Sequence, residues 1–238
     1  MLRDFFVNWY EILTFGVKIN IINLKGVIFI NIYNTIKESF SCDEPIFSSD
    51  IERLFPERSR PWIDKAIKTM LDKNQLKRFS TGVYYIPRKT LMGESLLNPQ
   101  KVITKKYIRN GADTFGYVSG TALLNKLGLT AQVPNLITVV TNNESSRGRK
   151  VMIGSQPVYI MKPYTEITNE NYTALQLLEA VKLVDINDLD KTEKGNLEKY
   201  INDNSITLPM VSKYCTFFPD YVSKRVLGGS LIRILTQQ

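Results

Sequence analysis

Residues 58–86 read RSRPWIDKAIKTMLDKNQLKRFSTGVYYI, and two different periods meet inside them. From about Ser59 to Lys73, Ile63, Ala66, Ile67, Met70 and Leu71 recur at helical spacing and form one apolar stripe. Ser59 suits the N-cap, and Pro61 suits the first turn, where a missing N–H costs nothing. After Asn74 the period shortens. Gln75–Phe79 and Val83–Ile86 predict two strands joined by Ser80-Thr81-Gly82, with Gly82 taking the left-handed conformation a tight hairpin needs. A basic helix running straight into a basic hairpin is the outline of a recognition helix and wing.

Working outward, the segment before it supplies the remaining parts. Ile32, Ile36 and Phe40 mark a short amphipathic helix, and Pro45-Ile46-Phe47 a short strand. Ser48-Ser49-Asp50 opens a second helix with Ile51, Leu54 and Phe55 inward, ending at Pro56. Helix, strand, helix, helix, hairpin is the winged helix-turn-helix order, placed at residues 32–89. Between Arg53 and Lys89 stand ten Lys or Arg against three Asp or Glu. The expected DNA contacts are Arg58, Ser59, Arg60, Lys65 and Lys68 on the helix and Lys77, Arg78 and Thr81 on the hairpin. A helix N-terminus adds unpaired N–H groups suited to phosphate. The competing reading is an ordinary amphipathic helix with a solvated polar face.

The whole chain agrees with an anionic partner. Its 238 residues carry a net charge of +8, with 43% hydrophobic and 23% charged residues, a composition ordinary for a globular protein. Two cysteines, Cys42 and Cys215, make no disulfide framework and point to a reducing, cytoplasmic setting. The chain has no histidine, which excludes Ser-His-Asp and Cys-His catalysis and His-liganded zinc. No lysine has Asp or Glu two positions before it, so the common nuclease pairing is absent. Neither catalysis nor a cofactor or metal is expected. Residues 1–31 are rich in Ile, Asn and Phe, but Lys18 and Lys25 interrupt them and no apolar run reaches about 18 residues, so no membrane span is expected. They read either as an extension packed on the core or, the preferred reading, as a poorly packed product of a misplaced start.

From Thr90 onward a mixed domain is expected, giving an α+β chain: a winged helix-turn-helix, then a small sheet with helices and a helical C-terminal part. Arg88–Pro99 reads as a linker. A helix follows from Pro99 to about Arg109. Ser119-Gly120 opens another, with Ala122, Leu123 and Leu127 inward and Gly128 at its end. Leu136–Thr141, Lys150–Ile153 and Pro157–Met161 read as strands. Gly116, Gly120 and Gly128 read as turn and cap glycines, and Ser119 as an N-cap, since no histidine exists to activate it. Arg147, Arg149 and Lys150 are either a second phosphate contact or a solvated loop. Helices are expected over Asn171–Val184 (Leu175, Leu178 and Val181 inward), Leu189–Ile201, Leu208–Phe217 and Asp220–Leu235. This slightly acidic end reads either as a solvated layer over the sheet, the preferred reading, or as a face for a protein partner.

Residues 115–142, FGYVSGTALLNKLGLTAQVPNLITVVTN, preceded by a hairpin ending GVYYIP, resemble the AbiEi-type antitoxins of bacterial type IV toxin–antitoxin systems. The similarity runs from about Ile32 to Asp185. It is carried by Gly116-Tyr117-Val118-Ser119-Gly120, Leu127–Thr130, Gln132-Val133-Pro134 and the basic Arg147-Gly148-Arg149. It implies an antitoxin domain over residues 90–238, operator DNA as one partner and a nucleotidyltransferase-like toxin as the other, with self-repression through residues 58–86. The alternative is a stand-alone winged-helix regulator whose second domain senses a ligand.

Overall fold

The computed structural model describes residues 32–228 and 230–236. The expectation for residues 1–31 lies outside them. The chain is α+β and divides into two compact units between Leu97 and Asn98.

In the first unit, residues 32–39 form helix α1. Strand β1 (Ile46–Phe47), helix α2 (Ser48–Leu54), helix α3 (Arg60–Asp72) and strands β2 (Lys77–Ser80) and β3 (Val83–Tyr85) follow. The strands pair antiparallel in the order β1-β3-β2, which is the winged helix-turn-helix topology. The helix boundaries follow local chemistry. The Phe47 N–H donates to the Asp50 carboxylate at 3.0 Å, satisfying a donor at the start of α2. Ser59 takes extended geometry at the N-cap of α3, and Pro61 sits in its first turn. Ile63, Ala66, Ile67 and Met70 are buried, and Leu71 is half-buried beside them. They close a core with Ile32, Ile36, Ile46, Ile51, Leu76 and Tyr84. The hairpin turn is tighter than expected. Ser80 pairs with Val83, a bulge falls between Arg78 and Ser80, and only Thr81 and Gly82 remain in the turn, Gly82 at φ +71°.

Residues 88–95, expected to be linker, are structured. Strands β4 (Lys89–Thr90) and β5 (Gly93–Glu94) form a hairpin tied to the unit by distant partners. The Asp43 carboxylate accepts from the Ser95 hydroxyl and from the Arg88 guanidinium, the latter at 2.8 Å. The Arg88 N–H donates to Ser95 Oγ at 2.8 Å, the Tyr85 hydroxyl donates to the Ser95 carbonyl at 3.3 Å, and Lys77 Nζ meets Glu94 at 2.8 Å. No local pattern announces these contacts, because Asp43 stands far from Arg88 and Ser95 in the chain.

The second unit opens with helix α4 (Pro99–Ile103), capped by the Asn98 side chain, which accepts from the Gln100 N–H at 2.9 Å. One π-helical turn (Thr104–Ile108) and a short hairpin, β6 (Arg109–Asn110) with β7 (Asp113–Thr114), come next. A four-stranded sheet combines β8 (Gly116–Ser119), β9 (Ile137–Thr141), β10 (Arg149–Ile153) and β11 (Gln156–Met161) in the order β10-β11-β9-β8. Only the β11–β9 pair is parallel. Helix α5 (Gly120–Lys126) leaves β8 directly. Gly116 is not a turn glycine. It lies in β8 where an added Cβ would stand 1.9 Å from the Tyr107 carbonyl oxygen, so the π-helical turn reaches the sheet only over a bare Cα.

The C-terminal helices are α6 (Tyr172–Leu183), α7 (Lys191–Asp203), α8 (Leu208–Cys215), α9 (Asp220–Gly228) and α10 (Ser230–Thr236). One expectation changes here. Helix α6 is no solvated layer: every residue from Thr173 to Val181 is buried, and the unit's core forms around it. Its polar members are satisfied internally. Glu179 accepts from the Ser119 hydroxyl at 2.7 Å and from Lys182 at 2.5 Å, and Gln176 accepts from the Tyr200 hydroxyl at 3.1 Å. Ser119 occupies the N-cap position of α5, yet its side chain makes no cap bond because Glu179 takes the hydroxyl.

The stripe on α3 makes a graded prediction. Met70→Ala removes a fully buried side chain and should cost about 2–5 kcal/mol in urea denaturation. Leu71→Ala, at a half-buried site, should cost less; equal losses would contradict the assigned face.

Candidate nucleic-acid interface

Burying one face of α3 turns the opposite face outward, and the predicted cations follow. Arg58, Ser59, Arg60, Lys65 and Lys68 are all exposed. The Arg58 guanidinium lies 4.7 Å from the Trp62 ring centroid, and Trp62 meets Phe55 edge-on at 6.4 Å. An aromatic pair thus holds a cation at the start of α3. Arg60 Nε approaches Glu52 on α2 at 3.7 Å, a surface pair worth no more than about 1 kcal/mol and readily exchanged for phosphate. The Ser59 side chain makes no cap bond, and the first turn of α3 holds no acidic residue, leaving its N-terminus favourable to an anion.

On the wing, Arg78 is exposed with its guanidinium 5.7 Å from the Tyr84 ring centroid, and Thr81 is exposed at the turn. The Ser48 N–H donates to the Gly82 carbonyl at 3.0 Å, so the wing tip is anchored to the start of α2. Lys77 differs from its neighbours. Its hydrogen bond to Glu94 holds its ammonium pKa above the usual range, which makes it an internal tie to the β4–β5 hairpin. Asp43 stands below its ordinary range, first through the Ser95 hydroxyl and then through Arg88, so this clamp keeps its charge.

In the second unit, Arg147 and Lys150 are exposed, whereas Arg149 is committed. Its Nε donates to Glu144 at 2.6 Å, and that bond raises its pKa. Glu144 also accepts from the Ser146 hydroxyl at 2.7 Å and the Ser146 N–H at 3.0 Å. These Ser146 bonds first, then Arg149, lower its pKa to about 2. The loop before β10 is therefore organised around a buried carboxylate, with one of its three cations already neutralised. Asp185 and Asp190 are helix caps: their side chains accept from the Asn187 and Glu193 N–H groups. Among the described residues no group of three Cys, Asp or Glu side chains is placed to hold a metal ion. No described helix is long and apolar enough to cross a membrane.

The chain belongs to a family of unknown function, DUF6088, whose model matches residues 55–207. The matched stretch takes in α3, the wing, the β4–β5 hairpin and the second unit through α7. No curated protein matches the chain.

The Glu144 carboxyl predicts a pH effect with a definite sign. Its folded pKa lies below the ordinary 4.5, so its contribution to stability is present above about pH 4.5 and is lost as pH falls toward 2. Carboxyl-carbon NMR titration should place its midpoint near 2, and Arg149→Ala should move it upward; an ordinary midpoint would contradict the Ser146 and Arg149 contacts.

Proposed function

We propose that the chain is a DNA-binding antitoxin that represses its own operon and counteracts a nucleotidyltransferase-like toxin, acting in the cytoplasm. The observation that carries the DNA-binding part is the cationic face of α3, with Arg58, Arg60, Lys65 and Lys68 exposed opposite a buried stripe and followed by an anchored wing. Helix α3, 13 residues long, extends about 20 Å, enough to lie along a major groove. Lys65, Lys68 and the open N-terminus of α3 supply backbone contacts. Arg58 and Arg60, at its N-terminal end, are placed as base-reading side chains. Arg78 and Thr81 supply wing contacts, and Arg147 and Lys150 carry exposed charge on the second unit. The antitoxin part is supported by the resemblance of residues 115–142 and the preceding hairpin to AbiEi-type antitoxins. The second unit, built around its own helix α6, is the part assigned to the toxin.

A second reading is favoured by one feature. Between the end of α5 and α7 lies an open pocket of about 320 Å³, lined by polar side chains including Asn125, Lys126, Asn196 and Lys199. A winged-helix regulator sensing a small ligand would use such a pocket. Growth of bacteria expressing the adjacent gene separates the two: arrest relieved by co-expression of this chain supports the antitoxin, and no relief leaves the regulator.

Binding to DNA from upstream of its own gene should weaken with salt, and each lost phosphate contact should reduce the slope by about 0.9. Arg58→Ala and Arg60→Ala should each cost about 1–3 kcal/mol on that DNA in fluorescence anisotropy if they read bases. Unchanged affinity in both variants would remove α3 from the interface.

A further inference from the structure

The β4–β5 hairpin ends in two side chains that no described residue covers. Leu91 is 108% exposed and Met92 101%, and Leu96 just beyond the hairpin is 87% exposed. The base of the hairpin, by contrast, is fixed. Asp43 holds both Arg88 and Ser95, Lys77 holds Glu94, and the Thr90 hydroxyl donates across the turn to the Gly93 carbonyl at 2.7 Å. A stiff, twice-tethered hairpin thus carries a bare apolar tip.

Three things argue for the occupant. The hairpin continues from β3, the second strand of the wing, and is tied to β2 through Lys77, so it belongs to the same unit as the cationic face of α3. Its tip offers too little surface for a stable protein interface, which takes about 800 Å² per partner. An apolar wedge in DNA needs only one or two such side chains, inserted between base steps from the minor groove. Of the charges on and beneath the hairpin, Lys77 pairs with Glu94 and Arg88 with Asp43, and Lys89 adds one exposed positive charge, which suits a polyanion.

We propose that Leu91 and Met92 form an apolar wedge that enters the minor groove of the DNA held by the winged helix and partly unstacks one base step. This rests on the DNA-binding reading above. The rigid base fits the task, because a wedge must resist the restacking force of the duplex. A wedge also favours steps that unstack easily, such as TA and CA, and so adds sequence preference without a base hydrogen bond.

The test compares full-length protein with the Leu91→Ser/Met92→Ser variant on DNA from upstream of its own gene, carrying 2-aminopurine at TA and CA steps. Both positions are fully exposed, so the variant keeps the fold. Wild type should raise the fluorescence at one step. The variant should lose that signal and bind on the order of tenfold more weakly. Its salt slope should be unchanged, because apolar side chains displace no counterions. Wild type that binds with no fluorescence change, or a variant that binds equally well, would overturn the wedge while leaving DNA binding in place. Wild type that binds no DNA would defeat the underlying reading as well. A wild-type dimer in sedimentation that the variant abolishes, without any 2-aminopurine signal, would assign the tip to a second copy and overturn the wedge.

Discussion

The burial of Ile63, Ala66, Ile67 and Met70 is the constraint from which the first unit follows. Each fully buried aliphatic side chain is worth roughly 1.5–3 kcal/mol, far more than any surface ion pair in the unit. That difference decides the orientation of α3. With the stripe pinned to α1, β1 and the wing strands, Lys65 and Lys68 have no option but solvent. Charge does not place the cationic face; the apolar core does, and the charges are carried outward by helical geometry.

The second unit reverses this arrangement. Its central helix α6 is buried from Thr173 to Val181, so Gln176 and Glu179 there must find partners within the protein. Glu179 takes Ser119 and Lys182, and Gln176 takes Tyr200. Burial of Tyr117, reinforced by the nearby Glu179 charge, pushes its phenol pKa well above the ordinary value. Breaking such a buried pair by removing one partner costs more than the pair itself contributes, because a charge is left without a counterpart. The Gly-Tyr-Val-Ser-Gly run makes sense in these terms. Gly116 admits the Tyr107 carbonyl, Tyr117 and Ser119 face the core, and Gly120, at φ +64°, turns the chain into α5.

The legible parts of the sequence were those with local causes. The periods of 59–73 and 83–86, the N-cap position of Ser59 and the left-handed Gly82 all act within a few residues and are found in the structure, although Ser59 makes no side-chain cap bond and the turn is one residue shorter than expected. The same holds for the exposure of Arg58, Arg60, Lys65, Lys68 and Arg78. What escaped depends on partners distant in the chain. Arg88–Pro99 looked like linker because its polar residues gave no period, yet Asp43 organises it. Lys77 and Arg149 looked like free cations until Glu94 and Glu144 were brought to them. Helix α6 was expected to turn Leu175, Leu178 and Val181 inward; Gln176 and Glu179 are buried as well, because each finds a hydrogen-bond partner inside the unit.

DNA binding by the first unit through α3 and the wing, as proposed above, is tested by hydrogen–deuterium exchange on the full chain with and without DNA from upstream of its own gene. Slower exchange is expected at the start of α3 and at the Thr81–Gly82 turn when DNA is bound. Protection confined to the second unit, with residues 58–82 unchanged, would contradict it.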